Sequence, residues 1–174
     1  MRLFWRHGYD GVSFQQLTAT LGVAPASLYA AFGNKAALYR EALDRYGEIR
    51  GDLSFMDEAP SLRDAVSRLL EGTARTLLDP TGEIGCMLNT GMITCHADLA
   101  KELVQRRSAF RTSLAEKLLK WVPTREADRL SRFLSAVIQG LAIQARDGYS
   151  LAELQEAVDV ALDAAAAAAS PAWS

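Results

Sequence analysis

SFQQLTATLGVAPASLYAAFGNKAALYREALDRY, residues 13–46, decides the fold. Ser13 followed by Gln16 makes a capping box, S-x-x-Q, and starts a helix that ends at Gly22. Within it Leu17 and Leu21 lie one turn apart and are expected to face inward. Gly22 supplies the positive φ that a tight turn between helices needs, and Val23 is expected to plug the angle between them. Pro25 suits the first position of the next helix, where a missing N–H costs nothing. That helix should run to about Phe32. Gly33 breaks it, and Asn34 caps a longer helix from about Lys35 to Ile49. Upstream, Leu3 to Gly8 read as the end of another helix, closed by Gly8. Two short helices pinched around a glycine are a helix-turn-helix, a shape that sets one helix in the major groove of DNA.

Outward from this block the pattern stays helical. Residues 50–60, RGDLSFMDEAP, form a turn-rich link and the candidate domain boundary. Ser61 with Asp64 caps a helix reaching about Leu78, residues 79–85 are a loop, and residues 86–95 read as a short buried helix. Leu99, Leu103, Phe110, Leu114, Leu118 and Trp121 step along one face of a long helix. Thr124, after Pro123, is expected to cap the next, whose stripe is Leu130, Phe133, Leu134, Val137, Ile138 and Leu141. Ser150 and Glu153 make a further capping box. The last helix carries Leu151, Leu154, Val158, Ala161, Leu162 and Ala165. There is no β-alternation and no internal repeat. The expected fold is all-α, with about nine helices. A head over residues 1–49 precedes a helical body over residues 50–174.

Composition narrows the function classes. The chain has 174 residues, enough for a proper core, and 49% apolar residues argue against disorder. No apolar run approaches the roughly 20 residues that span a bilayer, and the first residues do not form a signal peptide. Two cysteines and no export signal point to the cytoplasm. The net charge is −2, but residues 1–40 carry Arg2, Arg6, Lys35 and Arg40 against Asp10 alone. Residues 51–174 hold thirteen Lys and Arg against seventeen Asp and Glu. A basic head on an acidic body suits a DNA reader whose body stays off the phosphates.

Other chemistry finds little to build on. Cys86 and Cys95 are nine residues apart; on one helix that is roughly 13 Å of rise, beyond the about 7 Å between Cα atoms that a disulfide allows. They read as small buried hydrophobes. Cys95-His96-x-Asp98 lacks zinc spacing. No nucleophile–base pair, phosphate loop or metal set is present, so an enzyme is not expected, nor a cofactor or a metal.

The residues resemble the DNA-binding domain of TetR/AcrR-family transcriptional regulators. The matching features are Phe4 before Gly8-Tyr9, then Ser13, Leu17, Leu21, Gly22-Val23, Ser27-Leu28-Tyr29, Phe32, Asn34-Lys35 and Leu38. The resemblance implies a DNA-binding transcriptional regulator, a ligand-responsive dimeric repressor with a double-stranded operator as partner. Carried over by position, Ser13 belongs to the DNA-facing set, and Ser27, Tyr29 and Lys35 would contact phosphates. Gln15, Pro25, Ala26 and Ala30 would lie near base edges. Few polar side chains face the bases, so specificity leans on thymine methyls, Gln15 and DNA shape. Family members have a longer first helix, so either the sequence starts late, with the helix continuing upstream of Met1, or the first helix is truncated here.

Two further expectations concern the body. The helices at about 124–147 and 150–168 have stripes that little else can cover, which predicts a homodimer through Phe133, Val137, Leu141, Leu154, Val158 and Leu162. An apolar pocket between Leu69, Thr73, Met87, Met92, Phe110 and Leu114 would take a small hydrophobic or amphipathic effector. The alternatives are a helix-turn-helix interaction protein that no longer binds DNA, or a small helical enzyme or carrier.

Overall fold

The structure is a computed structural model that describes residues 1–90, 96–169 and 172–173. Among these residues there are α-helices and one 3₁₀ turn, and no strand. The head is α1 (Arg2–His7), α2 (Phe14–Leu21), α3 (Pro25–Phe32) and α4 (Lys35–Arg50). A 3₁₀ turn (Ser54–Met56) leads to α5 (Leu62–Leu77), α6 (Met87–Thr90), α7 (Ala97–Leu118), α8 (Thr124–Arg146) and α9 (Leu151–Ala169). No described helix is long and apolar enough to cross a membrane.

Local signals fix most ends. Ser13 Oγ accepts from Gln16 N and Gln16 Oε1 accepts from Ser13 N, the reciprocal capping box. Gly22 closes α2 in the left-handed region, at φ 66°. Asn34, Ser61 and Ser150 cap α4, α5 and α9 through their side chains. Thr124 does not cap α8: it is the first helical residue, and Pro123 before it takes the extended N-cap position with no side-chain bond. Leu21 and Val23 also depart from expectation, at 53% and 39% exposed. The head core closes at Leu17 and Leu28, so the last turn of α2 and the turn itself stay outside it.

Two clusters of buried side chains make the molecule. The body cluster unites α5, the C-terminal half of α7, α8 and α9, with Leu62, Leu70, Leu114, Leu118, Leu134, Leu154 and Val158 at its centre. Residues 50–60 are no loose link, because Leu53, Met56 and Ala59 are buried in that cluster. The head cluster holds Phe4, Trp5, Tyr39, Leu43 and Tyr46, and it draws in Met87, Leu99 and Leu103 from α6 and α7. Phe4 meets Tyr39 edge-on at 5.0 Å between centroids, and Trp5 meets Tyr46 likewise at 4.9 Å.

The helix α1 is docked on the loop before α6 and on the end of α8. Trp5 Nε1 donates to Gly85 O (3.0 Å), and Arg6 pairs bidentately with the buried carboxylate of Glu83 (2.8 and 2.9 Å). From the end of α8, the Arg146 guanidinium donates to the carbonyls of Trp5 (3.3 Å) and Arg6 (2.9 Å) and to Thr90 Oγ1 (2.6 Å). It thus caps α1, whose last carbonyls lack helical partners. A second head–body contact runs between α4 and α7. Arg40 pairs with Glu102 and Asp44 with Arg106, both at 2.7 Å, so two i,i+4 charges on α4 face the opposite order on α7.

Gly85 is where this latch is most easily broken. It sits at φ 83°, and a Cβ there would lie 2.6 Å from Arg146 Cγ. Gly85→Ala is expected to cost about 1–3 kcal/mol. Thermal unfolding should register roughly 2–4 °C of lost Tm per kcal/mol in a chain of this size. An unchanged Tm would mean that the loop relaxes without cost.

Candidate nucleic-acid interface and effector cavity

The outer face of α2 and α3 is open. Ser13, Gln15, Pro25, Ala26, Ser27, Tyr29 and Ala30 are all exposed, and Lys35 is half-buried. This follows from the packing, since α3 buries Leu28 in the head core, rests Phe32 against it and leaves its other residues exposed. Tyr29, 51% exposed, stacks on Phe14 of α2 with centroids 4.1 Å apart and planes 19° apart. Its ring is therefore braced by Phe14 while half of its surface stays open. Lys35 is neither fully solvated nor free to swing: its ammonium lies 4.2 Å above the Tyr9 ring. Burial pulls it below the ordinary lysine value, with Asp10 opposing.

The charge reading of the head needs correction. Of its four expected cations, Arg6 and Arg40 are paired with Glu83 and Glu102 of the body. Glu102 is held below the usual carboxylate range by its bonds from Arg40. Arg2 donates to Thr81 O. The basic surplus is thus mostly spent on docking the head to its own body. The positioning chemistry left on the open face is hydroxyls, an amide and Lys35.

A cavity of about 600 Å³ lies beneath the C-terminal half of α4, between α5, α7 and α8. Leu69, Thr73 and Phe110 line it, as expected from sequence. Met87 and Leu114 do not: Met87 is fully buried in the head cluster and Leu114 in the body cluster. Met92 and Cys95 lie outside the described residues. Cys86, expected as a buried hydrophobe, is half-buried and lines the cavity beside Tyr46. Burial pushes the Tyr46 phenol well above the ordinary tyrosine range, with the Cys86 thiol adding to the shift. The lining is mostly apolar, as its sequence pattern predicts, but it also holds Arg50, Arg68, Arg106 and Arg107, which the pattern does not bring together.

Comparison with known proteins agrees with this architecture. Residues 1–42 match the family model described as bacterial regulatory proteins, tetR family. The HTH-type transcriptional repressor BdcR of Escherichia coli is 35% identical over 156 residues, spanning 87% of this chain and 78% of BdcR. The repressor ComR of the same organism is 29% identical over 168 residues, covering 90% and 80%. A cysteine mutant of the TetR family transcriptional regulator CifR, complexed with 26-bp double-strand operator DNA, superposes with a TM-score of 0.84. It shares 30% identity, with 94% of this chain and 91% of that one covered.

The chain belongs to the TetR family. It is a DNA-binding transcriptional regulator and not an enzyme.

In this TetR-family body the six residues expected between two copies divide. Leu141, Leu154 and Val158 are buried in the chain's own core, where they seal α8 and α9 against α5, and present no surface to a partner. Phe133 is exposed, and Val137 and Leu162 are half-buried. The exposed apolar face instead runs through Phe133, Ala136, Gly140 and Ile143 on α8 and Val160, Ala164 and Ala168 on α9. A shallow groove joins Phe133 to Ala164 and Ala168. Sequence reasoning missed this offset because an apolar stripe does not say which of its edges is covered by the chain itself. It also missed Trp5, Arg146 and Glu83 as head–body contacts, since residues some 80 or 140 positions apart leave no local signal.

The stack at Tyr29 separates two roles by substitution. Tyr29→Ala is expected to lose about 0.5–1.5 kcal/mol with the ring pair, whereas Tyr29→Phe should leave stability unchanged. Urea denaturation of both variants checks this; equal stability in Tyr29→Ala would remove the stack from the account.

Proposed function

We propose that this regulator is a homodimeric repressor that grips operator DNA with α2 and α3 of its two heads and is released by a small effector in the body. The observation that carries the reading is the open α2–α3 face, with the half-exposed Tyr29 ring stacked on Phe14. BdcR and ComR are named repressors, and CifR is described with operator DNA, which supports the same role here. In this reading residues 1–49 are the DNA-binding head and residues 50–174 the effector-binding and dimerising body. A chain that acts on bacterial operators works in the cytoplasm. Ser27, Tyr29 and Lys35 meet phosphates, Ser13 lies at the edge of the contact, and Gln15, Pro25, Ala26 and Ala30 face the bases.

Dimerisation is required because two half-sites one DNA turn apart need two heads. It is supported by the exposed face on α8 and α9. Val160, at 69% exposed, is a large apolar side chain left in water on one chain. Gly140 is a glycine in a helix interior, where it costs about 0.5–1 kcal/mol relative to alanine. Such a residue is explained by close approach of another helix. The effector role is supported by the cavity, whose volume falls within the range of small-molecule sites.

One titration series tests both parts. Wild-type protein is expected to retard DNA taken from upstream of its own coding sequence. The affinity should fall with salt by about 0.9 log units per phosphate contact per log unit of salt. Lys35→Ala should weaken binding to all sequences alike and flatten that slope by about one unit for each Lys35 lost. Val160→Glu should leave the fold intact by circular dichroism, because the site is exposed. It should give a monomer by light scattering and lose DNA binding. A monomeric wild type would overturn the dimer, and a dimer that retards no DNA would favour a chain that has become an interaction protein.

A further inference from the structure

We infer that the cavity takes an organic anion, a carboxylate on an apolar body, with Arg107 as its principal anchor and Arg50 and Ser135 beside it. The inference rests on the reading of the body as an effector-binding domain and names the class of molecule that it binds.

The four arginines in the lining are not equivalent. Arg68 pairs with Asp64 at 2.8 Å and Arg106 with Asp44 at 2.7 Å, so each has a close carboxylate of its own. Among the described residues, Arg107 forms no ion pair; its one hydrogen bond is from Nη1 to Leu88 O, at 3.0 Å. A guanidinium carries five N–H donors in a planar fork suited to a carboxylate. Arg50 reaches Asp79 only at 3.5 Å, and its buried Nε has no hydrogen-bond partner among the described residues. Ser135, nine-tenths buried on the α8 wall, has an Oγ with no partner either. A buried polar group without a partner is costly, so these atoms call for an acceptor from outside the chain. The carboxylate that does line the cavity, Asp52, is committed: its two oxygens accept from Ser54 N and Ser54 Oγ, both at 2.8 Å. The opposite requirement, an apolar body, comes from Phe55, Leu69, Phe110 and Ile138 on the same walls.

Arg50 also gives this anion a way to reach the head. It is the last residue of α4, its guanidinium lies 5.3 Å from the Trp5 ring of α1, and it touches the loop through Asp79. A carboxylate that takes up Arg50 competes with both contacts, at the point where α1 is held to the body.

The test uses three molecules of one shape: 4-phenylbutyrate, its neutral amide, and the corresponding amine. Isothermal titration of the full-length protein should show the carboxylate binding at least tenfold tighter than the amide, with the amine weakest. Arg107→Gln, at a half-buried position that leaves the core untouched, should erase the preference for carboxylate over amide. Gly72→Leu should abolish binding of all three, because Gly72 lines the cavity and a Cβ there meets no atom within 4 Å, so the added side chain folds into free space. Equal affinity for amide and carboxylate, or a carboxylate preference that survives Arg107→Gln, overturns the anion while leaving an effector site standing. Binding undiminished in Gly72→Leu moves the ligand out of this cavity and overturns the inference. No binding of any of the three at millimolar concentration overturns the effector reading together with it.

Discussion

The helices proposed to read DNA share one core with α1, and α1 is docked to the body, with Arg146 at the end of α8 taking up its last carbonyls. Arg146 supplies acceptor-seeking N–H groups at the C-terminal carbonyls of α1, where a cation is also favoured by the helix dipole. Glu83, Gly85 and Thr90 complete the socket. Because Arg146 ends α8, the helix proposed to pair with its copy, the same side chain joins the head to the dimer face. The α4–α7 charge pairs add orientation more than energy, since partly exposed ion pairs are worth little.

That arrangement changes what binding DNA asks of the head. Arg6 and Arg40 are spent on Glu83 and Glu102, so in the proposed contact set the phosphates are left to the hydroxyls of Ser27 and Tyr29 and to Lys35. Lys35 is set in place by Tyr9 rather than left to search, which lowers the entropy lost when it finds a phosphate. The helix proposed to read DNA, α3, offers alanine methyls, Pro25 and Tyr29 stacked on Phe14. Such a surface reads shape and thymine methyls better than it reads hydrogen-bond patterns.

The local grammar of the fold was legible in the sequence. The box of Ser13 and Gln16, the caps at Asn34, Ser61 and Ser150, and the turn at Gly22 depend on neighbours a few residues away, and they fold as written. What escaped was tertiary. Leu21 looks like a core residue by spacing, but no element covers the end of α2. Met87 and Leu114 look like pocket residues by composition, but each faces one of two cores that the sequence does not separate. The charge of the cavity was hidden because Arg50, Arg68, Arg106 and Arg107 come from three helices and converge only in space. At the candidate DNA face, spacing and exposure agree, because a short surface motif carries its own geometry.

The central claim is that the Arg146 latch sets the head for DNA. The most direct measurement is operator affinity of Arg146→Ala, by fluorescence anisotropy, beside wild type at the same salt. The account predicts unchanged helix content, a dimer, and affinity lower by at least tenfold, because two loosened heads must be reordered on binding. Wild-type affinity in a folded, dimeric Arg146→Ala protein would contradict it.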